Sequence, residues 1–201
     1  MTRNSLIFSV IFALLFLNSA LAYDFNEIIK RLEDIDTVEA GFQQVTEIKG
    51  FGEDSYSGKV YLENGKRVLW DYNEPYEQYY LFTKDSMEYY DSSTEQLIKQ
   101  DASGSGGNNI VFKLLVDIST IKDAFEISHV SGDTFKLIPK TDVGLQFIKI
   151  TFSSKYIEKI HSLDDKGNYT TIKFEDVKIN SDIPEEKFLP DVPLGTEIFN
   201  Y

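Results

Sequence analysis

Few residues in this sequence are able to do covalent or metal chemistry, and none of them forms a recognisable site. The chain has no cysteine, which excludes thiol catalysis. Its two histidines, His129 and His161, lie in predicted strands without the spacing of a zinc motif. A carboxylate pair of glycosidase type would leave no signature among so many Asp and Glu residues. We therefore predict no metal, no cofactor and no enzyme activity.

A glycine-rich stretch, Ser103–Gly107, is the nearest approach to a phosphate-binding loop. It lacks the lysine and the following Ser or Thr that would hold phosphate and its magnesium ion. We interpret it as a flexible linker.

Aromatic and apolar residues form one-sided stripes along several predicted strands. Successive side chains of a strand point to opposite faces, so alternating positions share one face. The stripes comprise Val68, Trp70 and Tyr72, then Tyr80 and Phe82, then Met87 and Tyr89. Such a stripe is typical of a packed core, and it equally suits the wall of a cavity for an acyl chain. The stripes alone leave both interpretations open.

The elements that position these residues begin with one amphipathic helix. Asp24 is a suitable N-cap, and Phe25, Ile28, Ile29, Leu32 and Ile35 recur at helical spacing.

From Val38 onward the period is that of strands separated by turn residues. The predicted strands are 38–48, 56–62, 67–72, 77–83, 86–91, 96–100, 124–130, 134–139, 146–152, 157–164 and 169–179. About eleven antiparallel strands joined by short loops predict a mainly β (α+β) fold, built as a curved sheet or an incomplete barrel.

A very apolar segment, Ile110–Val116, follows the linker and interrupts the strands. With Asn109 as N-cap it predicts a short helix. A helix of this kind on a glycine hinge is either a movable lid or a plug that covers one face of the sheet as core.

The first 22 residues read as a secretory signal peptide, with Arg3, an apolar run and Ala20-Leu21-Ala22 before the cleavage point. The apolar run is shorter than the ~20 residues that span a bilayer. We therefore expect one exported domain, residues 23–201, without disulfides. Since no cysteine follows the leader, the chain cannot itself be lipidated as a lipoprotein. A net charge of −13 disfavours nucleic acid and anionic membranes as partners.

Several short motifs together resemble the periplasmic outer-membrane lipoprotein carrier (LolA-type) family. They occur in the family's order across nearly the whole exported chain. They are Phe42-Gln43-Gln44, Trp70-Asp71-Tyr72-Asn73-Glu74-Pro75, Tyr90-Asp91 with Gln96, Leu137-Ile138-Pro139-Lys140, and a tail pattern of Asn180, Ile183, Phe188, Pro190, Pro193 and Gly195.

The resemblance implies an unclosed antiparallel barrel whose hydrophobic cavity is covered by the N-terminal helix and a mid-chain helical lid. It implies a monomeric periplasmic chaperone that accepts acylated lipoproteins from an inner-membrane ABC transporter and delivers them to an outer-membrane receptor. The alternative is a carrier of another lipid, such as a glycolipid or a fatty acyl chain. On this basis the acyl-chain cavity would comprise Phe42, Val68, Trp70, Tyr72, Tyr80 and Phe82. The lid would comprise Phe25, Ile28, Leu32, Ile110, Phe112, Leu114 and Leu115.

One family feature is replaced in this chain. Members of the family often carry an Arg-Pro pair before the tryptophan, and that arginine holds the lid closed. Asn64 and Gly65 occupy those positions, followed by Lys66 and Arg67. Lys66 and Arg67 are therefore the candidates for lid gating, and strand alternation favours Lys66 because it shares a face with Trp70.

Overall fold

The structure, a computed structural model, describes residues 24–101 and 121–201. The predicted signal peptide lies outside the described residues, and so do the predicted lid residues Ile110, Phe112, Leu114 and Leu115.

The chain enters the fold through helix α1, Phe25–Glu33. Its N-cap is Asp24, whose carboxylate accepts a hydrogen bond of 2.9 Å from the backbone N–H of Asn26. The apolar face of the helix buries Phe25, Ile28 and Ile29, as the helical spacing predicts.

Within the described residues, twelve strands follow, with a short helix, α2, at Ile121–Ala124 and a 3-10 turn at Glu185–Phe188. The strands are β1 Thr37–Ile48, β2 Gly52–Glu63, β3 Arg67–Glu74, β4 Gln78–Thr83, β5 Ser86–Asp91, β6 Gln96–Asp101, β7 Phe125–Ser131, β8 Thr134–Pro139, β9 Leu145–Phe152, β10 Ile157–Asp164, β11 Tyr169–Ile179 and β12 Glu197–Asn200. All eleven predicted strands are present, and the sequence did not predict β12.

All twelve strands belong to one sheet, in the order β12-β6-β5-β4-β3-β2-β1-β11-β10-β9-β8-β7. Strands that are neighbours in this order pair antiparallel, except that β12 pairs parallel to β6. Because β12 and β7 stand at the two ends of the order, the sheet is unclosed. The predicted mainly β, unclosed antiparallel architecture is confirmed.

We call the face of the sheet that carries Val68 and Trp70 the inner face, and the face that carries Leu69 the outer face. Helix α1 packs on the inner face over β8 and β9. The ring centroid of Phe25 lies 5.0 Å from that of Phe135 and 6.4 Å from that of Phe152. Burial of a phenylalanine side chain contributes roughly 2–3 kcal/mol, so this contact fixes the helix over one half of the sheet.

The outer face is covered by the chain between β11 and β12, which we call the C-terminal strap, residues 181–190. Its anchors Ile183 and Phe188 are buried against Tyr61, Leu69 and Leu97.

Arg67 ties β3 to this strap. Its guanidinium donates to Glu185 at 2.6 and 2.5 Å and to Glu63 at 2.6 Å, and it lies 4.0 Å from the ring centroid of Phe188. The strap therefore closes the outer face and leaves the inner face as the place for a ligand.

We expect Arg67→Ala to lower the free energy of unfolding by about 1–2 kcal/mol, since it removes the cation–π contact and the packing of the arginine stem. Lys66→Ala is the matched control, because the Lys66 side chain is 72% exposed and lies 3.5 Å from Glu63. Urea denaturation of both variants measures the difference. Equal stability of the two variants would contradict the anchoring role of Arg67.

The same contact predicts a pH dependence. The hydrogen bonds from Arg67 hold the pKa of Glu185 below its ordinary value of 4.5. A carboxyl whose folded-state pKa is depressed stabilises the fold above the unfolded pKa, and this contribution disappears as the pH falls through the folded pKa. Glu185→Gln should therefore lose less stability than the unaltered protein between pH 5 and pH 3, measured as melting temperature. An unchanged acid profile would show that the pair does not contribute.

Candidate functional site

The inner face holds an apolar cavity with a volume of about 160 Å³. It lies between β1, β2 and β3 on one side and β10 and β11 on the other, next to the end of α1. It is lined by Leu32, Ile35, Val38, Ala40, Val60, Leu62, Asn64, Val68, Trp70, Tyr156, Ile157, Ile160, Phe174 and Val177. Most of these side chains are aliphatic, so the site is built to exclude water.

One wall of the cavity follows directly from the strand register. Val60 on β2 pairs with Ala40 on β1 and with Trp70 on β3, and Leu62 pairs with Val68. Side chains directly opposite each other on antiparallel strands share a face. Side-chain size therefore increases across three neighbouring strands, from Ala40 on β1 through Val60 on β2 to Trp70 on β3.

The opposite wall depends on two irregularities that break strict alternation. The pairing of β10 with β9 shifts after Ile157, so Ile157 and Ile160 both line the cavity although they are three residues apart. On β11, Asp176 has a φ of 52°, and Phe174 and Val177 consequently reach the same side. Sequence analysis did not assign these four residues to the cavity, because a bulge reverses the face of every residue beyond it.

The end of helix α1 closes one side of the cavity through Leu32 and Ile35. The β2–β3 turn is tied to the same segment. The backbone N–H of Asn64 donates to the carbonyl of Asp36 at 2.8 Å, and its side-chain amide donates to the carbonyl of Glu33 at 3.5 Å. Asn64 thus links the turn to the helix.

The volume limits what this state can hold. A cavity of about 150 Å³ in a protein core accepts a benzene molecule. The present cavity of about 160 Å³ is therefore too small for a complete long acyl chain. The walls must separate before a ligand of that length can enter.

Two of the six predicted cavity residues, Val68 and Trp70, line the cavity. The other four are neighbours of Trp70 in the same apolar cluster and fill the inner face beside the cavity. They are Phe42, Tyr72, Tyr80 and Phe82. Whether any of the six contacts an acyl chain stays a prediction.

The four neighbours form a continuous set of ring contacts. The Phe42 centroid lies 5.0 Å from Trp70 and 4.9 Å from Tyr72. Tyr80 then lies 6.2 Å from Tyr72 and 6.1 Å from Phe82. Such contacts favour edge-to-face and offset geometries and make this part of the inner face rigid.

Tyr72 is also the polar end of this set. Its hydroxyl donates to the side-chain oxygen of Gln44 at 3.1 Å, and burial raises the pKa of Tyr72. The phenol is therefore neutral at physiological pH and acts as a hydrogen-bond donor, not as a base.

The described lid residues divide between two places. Leu32 lines the cavity, whereas Phe25 and Ile28 belong to the cluster of α1 with β8 and β9. Phe25 and Ile28 therefore position the helix and do not themselves line the cavity.

Neither gating candidate lines the cavity. Arg67 lies on the outer face in its contacts with Glu63, Glu185 and Phe188, as its register predicts. The ammonium of Lys66 lies 3.5 Å from the same Glu63. The position of Arg67 argues against a role for it in lid gating, and the residue of this turn that lines the cavity is Asn64.

The two histidines, which could act as acid–base groups or metal ligands, lie outside the cavity lining and make structural contacts. The Nδ1 atom of His161 is 2.8 Å from the hydroxyl of Thr171, and burial together with nearby Lys149 lowers the pKa of this histidine. His129 contacts the carbonyl of Gly132 in its own hairpin at 2.8 Å. Within 24–101 and 121–201, no three acidic or histidine side chains are grouped to hold a metal ion.

In the same part of the chain, no helix is long and apolar enough to span a membrane.

Comparison with known proteins gives one consistent family. Residues 33–191 match the model of the family described as outer membrane lipoprotein carrier protein LolA. An outer-membrane lipoprotein carrier protein of Pseudomonas putida is 28% identical over 191 residues, which cover 90% of this chain and 92% of that protein. The carrier of Francisella philomiragia is 27% identical and covers 100% of this chain and 98% of its own length.

A solved structure shares the fold at lower sequence identity. It is an uncharacterized conserved protein from Thermus thermophilus, 14% identical, with a TM-score of 0.58 over 88% of this chain and 98% of that chain. At this identity the likeness concerns the fold alone.

Proposed function

Because this chain belongs to the outer membrane lipoprotein carrier protein family, we propose that it is a periplasmic chaperone that carries acylated lipoproteins with their acyl chains in the inner-face cavity. The observation that carries the proposal is the cavity itself, an apolar space on the inner face of the sheet next to the end of a helix. On the outer face, the C-terminal strap packs on the apolar side chains of the sheet.

The energetic logic is that of transfer out of water. Each methylene moved from water into the cavity contributes about 0.8 kcal/mol, so the cavity can replace the apolar surroundings that an acyl chain loses when it leaves the membrane. A carrier must also release its cargo, so the binding free energy must be partly offset. The free energy needed to separate the cavity walls provides this offset.

Opening between α1 and the β2–β3 turn is the simplest way to enlarge the cavity. The turn is held by the 2.8 Å bond from Asn64 to Asp36 and the long bond to Glu33. A hydrogen bond contributes roughly 0.5–1.5 kcal/mol net, so these contacts close the cavity without locking it. The predicted mid-chain helix with Ile110, Phe112, Leu114 and Leu115 completes the cover in this proposal.

Several finer assignments belong to the same proposal. Residues 1–22 direct export, residues 23–201 form the carrier, and the protein acts as a monomer without enzyme activity or cofactor. An inner-membrane ABC transporter supplies the lipoprotein and an outer-membrane receptor accepts it. The names of the relatives favour lipoproteins over the alternative cargo of a glycolipid or a free fatty acyl chain.

The test uses inner-membrane vesicles that contain the native lipoprotein-releasing transporter and a labelled lipoprotein destined for the outer membrane. Purified residues 23–201 are added with ATP, and the label is followed into the soluble fraction. We expect release as a complex of one carrier with one lipoprotein. Mass spectrometry of the bound lipoprotein should find its acyl chains intact.

Omitting ATP and replacing the carrier with an unrelated acidic protein are the controls. Label that stays in the membrane with an active transporter would contradict the carrier function. Release of a lipoprotein that has lost acyl chains would instead indicate an enzyme.

A further inference from the structure

One donor in the cavity wall has no hydrogen-bond partner. Trp70 lines the cavity with 8% of its surface exposed, and its Nε1 atom is buried without an acceptor among the described residues. Buried N–H groups are almost always paired, so an orphan of this kind calls for an explanation.

The neighbours of Trp70 explain why no acceptor is at hand. The Phe42 ring packs edge-on at 5.0 Å, and the Phe174 ring lies tilted at 5.8 Å. The hydroxyl of Tyr72 donates to Gln44 and the side-chain nitrogen of Asn64 donates to the carbonyl of Glu33, and neither residue accepts a hydrogen bond from the Trp70 indole. The wall therefore presents one unused donor in apolar surroundings.

Two further buried polar atoms without partners occur in the described part of the chain, and they lie elsewhere in the fold. They are the hydroxyl of Tyr79, which packs in the outer-face cluster, and the hydroxyl of Ser181 in the C-terminal strap. The orphan donor at the cavity is thus specific to Trp70.

We propose that the Trp70 indole N–H donates a hydrogen bond to the carbonyl oxygen of an ester- or amide-linked acyl chain, so that the cavity recognises the acyl carbonyl as well as the hydrocarbon. The inference rests on the proposed carrier function and names the ligand class more narrowly. A hydrocarbon tail without a carbonyl leaves the donor unpaired, whereas an acyl ester or amide supplies an acceptor at the head of the chain. A ligand without an acceptor binds more weakly, because it leaves the buried donor unpaired.

The chain is suited to a direct measurement, because Trp70 is its single tryptophan. One indole cross-peak is therefore expected in a ¹H–¹⁵N correlation spectrum of uniformly ¹⁵N-labelled protein. Methyl palmitate and heptadecane serve as probes of similar length, one with a carbonyl and one without. We expect the ester to shift the indole proton resonance downfield, because a new hydrogen bond deshields the proton. Heptadecane should cause no such downfield shift.

Trp70→Phe provides the second measurement, since it keeps an aromatic ring and removes the donor. We expect the preference for ester over hydrocarbon, expressed as the ratio of the two dissociation constants, to fall roughly three- to tenfold. Phe147→Leu is the control, since Phe147 packs against Lys136 and Lys149 and does not line the cavity. It should leave the ratio unchanged.

Two results would overturn the inference by itself: binding of both probes with the same indole shift, or equal loss of preference in Trp70→Phe and Phe147→Leu. The first would indicate that Trp70 only packs, or that a buried water already satisfies its N–H. Failure of both probes to bind would overturn the inference together with the carrier function.

Discussion

Val68→Glu is expected to abolish acyl-chain binding, with an affinity loss of more than about 100-fold. Val68 is 1% exposed, lines the cavity and stands between Leu62 on β2 and Phe82 on β4. A carboxylate here either draws water into the cavity or must be protonated, and in both cases an entering acyl chain has to displace a solvated group. Titration with a fluorescent fatty acid and the vesicle release assay both measure the effect.

A charge in the cavity wall also threatens the fold, so two further variants separate folding from binding. Ile138→Glu places the same charge on an exposed position of β8, where 40% of the side chain is accessible, and should bind like the unaltered protein. Ala40→Phe fills the cavity without charge and should weaken binding while circular dichroism shows a folded sheet. Intact binding by a folded Val68→Glu variant would show that acyl chains lie elsewhere.

The strands of this fold were predictable because their signal is local. Alternation and turn residues located eleven strands to within a few residues, including β3 at Arg67–Glu74. The missed strand, Glu197–Asn200, is four residues long and pairs with β6 about a hundred residues earlier in the chain. A short edge strand carries too few alternating positions to be recognised, and its partner is set by tertiary packing.

The cavity was predictable only in part, because its walls depend on contacts distant in sequence. Alternation correctly placed Val68 and Trp70 on one face and Arg67 on the other. It could not distinguish residues that line the space from residues that pack beside it. Tyr72, for example, packs on Phe42 and donates to Gln44, both of which lie on another strand. The sequence analysis assigned no residue of β10 or β11 to the cavity, and register shifts on these strands break the alternation that could have located Ile157, Ile160, Phe174 and Val177.

The strap illustrates a further limit of sequence reasoning. The tail motif containing Phe188 contributed to the family resemblance without any sign of what the residue contacts. Its place under the Arg67 guanidinium, at 4.0 Å, follows from a pairing of positions more than a hundred residues apart. The motif thus serves to close the outer face, which leaves the inner face for the ligand.

Gly58→Ala is expected to lower the free energy of unfolding by at least about 3 kcal/mol, or to prevent folding. A β-carbon at Gly58 would lie 2.0 Å from the carbonyl oxygen of Asp71 and 2.8 Å from the α-carbon of Tyr72. Both are backbone atoms of β3, which cannot rotate away as a side chain can. The β2–β3 pairing would have to separate beside its register shift, and the wall that carries Val60 and Trp70 would move with it.

Gly41→Ala is the matched control for this substitution, since Gly41 lies on β1 opposite Lys59, the residue after Gly58. A β-carbon there would meet Cγ of the Glu175 side chain at 3.1 Å, and that side chain is free to adjust. Both substitutions restrict the unfolded chain equally, so the difference between them isolates the backbone collision. We expect Gly41→Ala to cost less than about 1 kcal/mol in urea denaturation. Similar stabilities for the two variants would mean that β2 and β3 are not held as closely as this geometry requires. The cavity could then enlarge by movement of β2 against β3, without separation of α1 from the β2–β3 turn.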